Sequence, residues 1–73
     1  MNSDIKKDQL KLGENLKEIR EKRKMTQAEV AKIAKINVNY YARIERGGEN
    51  PSLEVLRGLV AAFKVKSKEI LPF

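Results

Sequence analysis

The feature that most constrains this chain is a pair of helix-start signals so close together that two short helices must meet at a tight turn. Thr26 stands three residues before Glu29, the spacing of a capping box in which each residue satisfies the other's backbone amide. Val30, Ala31 and Ala34 then mark one side of a helix over Gln27–Ala34, with alanines small enough to permit close packing. Ile33 falls off that stripe and is expected to be partly exposed. Ile36 supplies an apolar anchor and Asn37 the next N-cap, so the chain turns and restarts within about four residues. A third helix is expected around Asn37–Arg46, closing at Gly47-Gly48, where glycine accepts left-handed backbone. The resulting unit has helix-turn-helix spacing.

The flanking segments also read as helical. Leu12, Leu16 and Ile19 recur at i, i+4, i+7 in a first helix from Gln9 to about Arg23, with Asp8 as its N-cap and Gly13 as a point of close approach. Residues 1–8 mix charge and polarity without period and read as a flexible tail, leaving one domain over 9–73. Ser52 caps a fourth helix carrying Leu53, Leu56, Leu59, Val60 and Phe63 toward the core. Ser67 is expected to cap a last short helix, Lys68–Leu71. The fold class is therefore all-α, with no convincing strand.

Composition narrows the functions open to such a chain. With 73 residues it has no surplus core, so pairing with a second copy is energetically reasonable. A net charge of +6 favours polyanionic partners, either nucleic acid or an anionic membrane surface. No apolar run approaches the length of a membrane span and no secretory signal stands at the N-terminus, so a cytoplasmic location is expected. The chain has no Cys and no His, which removes disulfides, zinc sites, imidazole bases and thiol nucleophiles together. Neither a phosphate-binding glycine loop nor a carboxylate cluster is present, so no enzyme, metal or cofactor is expected.

Stepping about 100° per residue along the third helix places Val38, Asn39, Ala42, Arg43 and Arg46 on one arc. The opposite arc carries Tyr41, Ile44 and Glu45, with Tyr40 at the boundary. A polar face is common on any surface helix, but this one follows the tight turn and suits the major groove, which admits one helix. Val38 suits a thymine methyl, Asn39 an adenine edge and Arg43 the acceptors of guanine, while Ala42 permits close approach. Arg46, near the helix end, suits a phosphate. Tyr40 is open to two readings: half-buried packing, or a ring turned inward with its hydroxyl on a phosphate.

The run from Met25 to Leu56, with Thr26-Gln27, Ala31, Ile44-Glu45-Arg46-Gly47 and Asn50-Pro51-Ser52-Leu53 as its most specific pieces, resembles the Cro/repressor-type (lambda-repressor-like) helix-turn-helix family. The resemblance covers about Leu10–Leu71 and implies a compact bundle of five short helices. It further implies a homodimer that binds a palindromic operator in double-stranded DNA to regulate transcription, most often as a repressor. Gln27 would contact the DNA backbone or also a base, and Val38, Asn39 and Arg43 would take the base-reading positions. The same resemblance pairs Arg20 of the first helix with Glu45 of the third, consistent with the inward angle of Glu45.

The chain departs from the family at Lys24 and Lys35, turn positions where glycine is common, and at Glu49, where many relatives carry a basic residue. Gly48 and Asn50 remain as backbone or amide donors toward phosphate. Ile70, Leu71 and Phe73 are expected at the dimer interface. Regulation is expected through occupancy of DNA or contact with RNA polymerase. The alternative is a protein-interaction module, such as an antitoxin capturing a toxin, with DNA binding secondary and Ile33 among its exposed apolar residues.

Overall fold

The first helix keeps the expected Leu12 and Leu16 stripe, and both residues are buried against the rest of the chain. The computed structural model describes residues 2–73. Among these it contains α1 (Asn2–Lys22), α2 (Gln27–Ala34), α3 (Val38–Glu45) and α4 (Leu53–Phe63), then a single 3-10 turn at Ser67–Glu69, and no strand. Two expectations are corrected by this order. Residues 2–8, read as a flexible tail, continue α1, and Asp8 lies inside the helix rather than capping it; Met1 lies outside the described residues. The physical reason is that this stretch holds no Gly or Pro and Ile5 extends the apolar stripe of Leu12 and Leu16 by two more turns. The fifth helix is likewise reduced to a 3-10 turn, so the bundle has four α-helices. Its first position follows Lys66, whose amide donates to Glu69 Oε2 at 2.8 Å, and Pro72 disfavours helical backbone at Leu71.

The central caps form as the sequence predicts. The Glu29 amide donates to Thr26 Oγ1 (3.0 Å) and the Thr26 amide donates to Glu29 Oε1 (2.7 Å). Asn37 Oδ1 accepts from the amides of Asn39 and Tyr40, and Ser52 Oγ accepts from Val55. Each cap of this kind contributes about 1 kcal/mol. The helix ends share one solution: the amide of a left-handed residue reaches back three positions, and that of the residue after it reaches back five. It recurs at Met25 to Arg20, Ile36 to Ala31, Gly48 to Arg43 and Val65 to Val60. The left-handed residue is Gly47 after α3, but Lys24, Lys35 and Lys64 after the others. A lysine pays the steric cost of that conformation yet places its charge beside the negative end of the helix dipole.

These turns fold α2 onto α3 and α4 and bring α1 across α3. The core joins Leu12, Leu16, Val30, Ala31, Tyr41, Ile44, Leu59, Phe63 and Ile70. Ala31 is buried at the α2 packing point and Ile33 is exposed, as its angle predicts. Leu53, expected to face the core, is instead 79% exposed, because at about 100° per residue it lies well to one side of the buried Leu59 and Phe63.

Gly13 sets the α1–α3 crossing, since a Cβ there would overlap the carbonyl oxygens of Ile44 and Glu45. Gly13→Ala, which would stabilise an isolated helix by about 1 kcal/mol, is therefore expected to lower the melting temperature. Thermal unfolding followed by circular dichroism checks the sign, and a raised Tm would refute the crossing geometry.

Candidate nucleic-acid interface

The third helix is held from behind by a polar cluster and from below by the core. Tyr41 and Ile44 are fully buried. One turn on, the Glu45 side chain is only 4% exposed, and its carboxylate accepts from Arg20 Nε at 2.6 Å and from Arg20 Nη2 at 3.2 Å. Arg20 Nη1 also donates to the Met25 carbonyl (2.9 Å), and Gln27 Nε2 donates to Glu45 Oε1 (3.0 Å). One carboxylate thus joins α1, the following turn, the start of α2 and the end of α3. The Tyr41 hydroxyl stands near the same carboxylate without meeting hydrogen-bond geometry and is buried without a partner.

Burial works to raise the Glu45 carboxyl, but the contacts from Arg20, Tyr41 and Gln27 outweigh it and hold the group below its ordinary value. The hydrogen bond to Glu45 correspondingly raises Arg20, and burial pushes the Tyr41 phenol far up, so it stays protonated.

With Tyr41, Ile44 and Glu45 turned inward, Val38, Asn39, Arg43 and Arg46 are exposed and Ala42 is partly so. Tyr40 is half-buried, packed against the core while the Arg43 guanidinium lies 5.9 Å from its ring centroid. Arg43 Nε donates to Glu49 Oε2 at 2.9 Å. That pairing gives a role to the acidic residue that the sequence marks only as a departure.

Other predicted positions are redistributed. Gln27 turns its amide nitrogen toward Glu45, leaving the second amide hydrogen and the carbonyl oxygen as its remaining polar groups. The Gly48 amide, expected to donate to phosphate, is already bonded to the Arg43 carbonyl, so it closes α3 and is not available as a donor. Asn50 is exposed, beside buried Pro51.

Away from α3, Ile70 is fully buried in the core and cannot serve as an interface residue; Asn15 Nδ2 donates to its carbonyl at 2.9 Å and ties this segment to α1. Leu71 is partly exposed and Phe73 is 88% exposed. Together with Ile5, Leu53, Leu56 and Pro72 they line an open apolar groove of about 480 Å³. Sequence reading missed Ile5 and Leu53 on this surface. Among the described residues, no acidic or other ligating group is placed to hold a metal, and no helix is long and apolar enough to cross a membrane.

Comparison with known proteins follows the same geometry. The Helix-turn-helix family matches residues 16–70. The chain is 37% identical over 62 residues to the HTH-type transcriptional regulator DdrOP3 of Deinococcus deserti, covering 85% of this chain and 48% of the relative. It is 37% identical over 60 residues to the immunity repressor protein of Bacillus phage phi105, covering 82% and 42%. The chain thus spans about half the length of the curated relatives it matches. The restriction-modification controller protein C.AhdI of Aeromonas hydrophila superposes with a TM-score of 0.85 at 28% identity, covering 88% of this chain and 97% of that one. The clp gene regulator ClgR of C. glutamicum shares the fold, with a TM-score of 0.80 at 24% identity over 85% and 80% of the two chains.

The buried carboxylate makes a prediction in pH. Because the Glu45 pKa is lowered in the folded state, its contribution is complete above the ordinary carboxyl value of 4.5 and is lost as pH falls through the depressed folded value. Arg20→Ala strands the carboxylate and is expected to cost about 3 kcal/mol at neutral pH. Thermal melts from pH 7 to pH 3 should show a lower Tm for the variant and a shallower acid limb than for the parent. Equal melting curves would mean that the pair carries no stability.

Proposed function

Because the chain belongs to the Cro/repressor-type helix-turn-helix family, we propose that it is a sequence-specific, double-stranded DNA-binding transcriptional regulator that occupies a palindromic operator as a homodimer, with α3 in the major groove. The observation that carries this reading is the division of α3. Its inner side is fixed by Tyr41, Ile44 and the Glu45–Arg20 pair, leaving Val38, Asn39, Ala42 and Arg43 together on a rigid outer face. Base reading by Val38, Asn39 and Arg43, with Ala42 giving room, follows from the chemistry of the groove edges. Arg46 and Asn50 serve phosphate, as do the Tyr40 hydroxyl and the second amide hydrogen of Gln27. The net charge of +6 supports the association with DNA.

The dimer reading rests on the apolar surface of Leu53, Leu71 and Phe73, which a second copy would cover. Two reading helices on one DNA face then stand about 34 Å apart, so operators are inverted repeats with half-sites about one helical turn between centres. A second reading, capture of a protein partner such as a toxin, draws on the 54% exposure of Ile33 on α2.

Selection of bound DNA from a random pool, followed by titration at several salt concentrations, tests the reading. An inverted repeat is expected, and equal affinity for every sequence would refute it. Arg43→Ala should cost about 1–3 kcal/mol on the selected site and relax preference at one base pair. Leu53→Glu and Phe73→Glu, both at exposed positions, should leave the fold intact and yield monomers by sedimentation, with a matching loss of operator affinity. Unchanged dimers would place the interface elsewhere.

A further inference from the structure

We infer that Glu49 is a specificity-determining residue, which holds Arg43 in an orientation suited to one guanine and keeps it from serving as a general phosphate contact. The inference rests on the operator-binding reading above.

Three features around Arg43 carry it. Its Nε is bonded to Glu49 Oε2 at 2.9 Å. Its guanidinium carbon lies over the Tyr40 ring, 5.9 Å from the centroid, so the side chain has an aromatic neighbour as well as the carboxylate. Its terminal Nη groups have no hydrogen-bond partner among the described residues. An arginine carries five donors in a planar fork, and a guanine O6/N7 pair needs two of them in parallel. With the Nε edge taken by Glu49, the Nη1/Nη2 edge is the pair left for the base. The loop geometry keeps Glu49 there: the Gly47 and Gly48 amides close α3 onto the Ile44 and Arg43 carbonyls, so the chain turns back immediately beside the helix.

Charge gives Glu49 a second effect. Paired with a carboxylate, Arg43 contributes little net positive charge to a nonspecific duplex and releases few counterions from it. On a site with the matching guanine, the Nη contacts supply the missing attraction without breaking the Nε bond. On other sites nothing offsets the carboxylate near the phosphates. Glu49 therefore lowers affinity for wrong sequences more than for the right one, which is discrimination through a repulsive element.

The pair is solvent-accessible, with side-chain exposures of 46% and 31%, so Glu49 can be changed without unfolding the domain. The experiment measures the full chain and four variants, Glu49→Gln, Glu49→Ala, Arg43→Ala and the double variant Arg43→Ala with Glu49→Ala. Each is titrated against the selected operator, operators altered at the Arg43 base pair, and a random duplex, at several salt concentrations. Glu49→Gln removes charge but keeps an acceptor; it should bind random duplex several-fold more tightly, with a salt slope steeper by about 0.9. Glu49→Ala should do the same and also lose about ten-fold of the preference at the Arg43 base pair. In the Arg43→Ala background, Glu49→Ala should leave base preference unchanged, because the effect on readout runs through Arg43. Tm should be unaltered throughout.

A parent chain that selects an operator while the Glu49 variants keep its base preference and salt slope overturns this inference alone. A parent chain that selects no sequence overturns the operator reading and this inference with it.

Discussion

The arrangement of the helix-turn-helix unit depends on one buried carboxylate. Glu45 ends α3, and it is reached by Arg20 from α1 and by Gln27 from the start of α2, while Arg20 also holds the Met25 carbonyl in the turn between them. A charge in that position is costly unless its acceptor sites are filled, so all of these elements must be in place at once. Hydrophobic packing of Tyr41 and Ile44 fixes how deep α3 sits; the Arg20 fork, bonded through two nitrogens to one carboxylate, fixes its rotation and register. Rotation is the quantity that matters for a helix meant to present particular side chains, and apolar contacts alone specify it loosely.

The turns make that arrangement possible in few residues. Each helix ends in the same backbone bonding pattern, and three of the four left-handed residues are lysines rather than glycines. Gly47 is the exception for a steric reason: its would-be Cβ meets the Leu10 side chain and backbone, so a side chain is excluded there by packing as well as by conformation. At Lys24, Lys35 and Lys64 the side chain is exposed, and the charge lies where the helix dipole favours it. The same residues contribute to the positive charge that the chain carries toward a polyanion.

What was legible in the sequence follows from the range of each interaction. Caps act over three residues, so Thr26 with Glu29, Asn37 and Ser52 mark helix starts directly. The inward and outward sides of α3 are equally local, since helical geometry dictates them. The continuation of α1 to Asn2 was obscured because the polar composition of residues 2–8 outweighed the single apolar Ile5. Contacts across the fold left no periodic sign. Nothing in sequence spacing tells that Ile70 is buried, its carbonyl accepting from the Asn15 side chain, while Leu53 remains outside, because both are apolar residues at acceptable helical or terminal positions. The Arg43–Glu49 pair shows the same limit at shorter range: opposite charges six residues apart across a helix end meet only if the chain reverses there, and the closing bonds at Gly47 and Gly48 make it do so.

Two surfaces of opposite chemistry result from how little a chain of this size can bury. The core is filled by residues from every helix and by Ile70; of the apolar residues left over, Leu53, Leu71 and Phe73 meet Ile5 near the start of α4 and the C-terminal segment, while Ile33 and Val38 are exposed on α2 and α3. Polar and basic groups gather on α3. A domain of this length buries only about 60% of the surface its unfolded chain exposes, so a groove in which several apolar groups meet is the surface from which a second copy would gain most. The groove holds none of the base-reading candidates of α3, so burial and base reading are served by different residues. α1 links the two: its first turns carry Ile5 and Leu12 to the groove, and Arg20 in its last turn fixes α3.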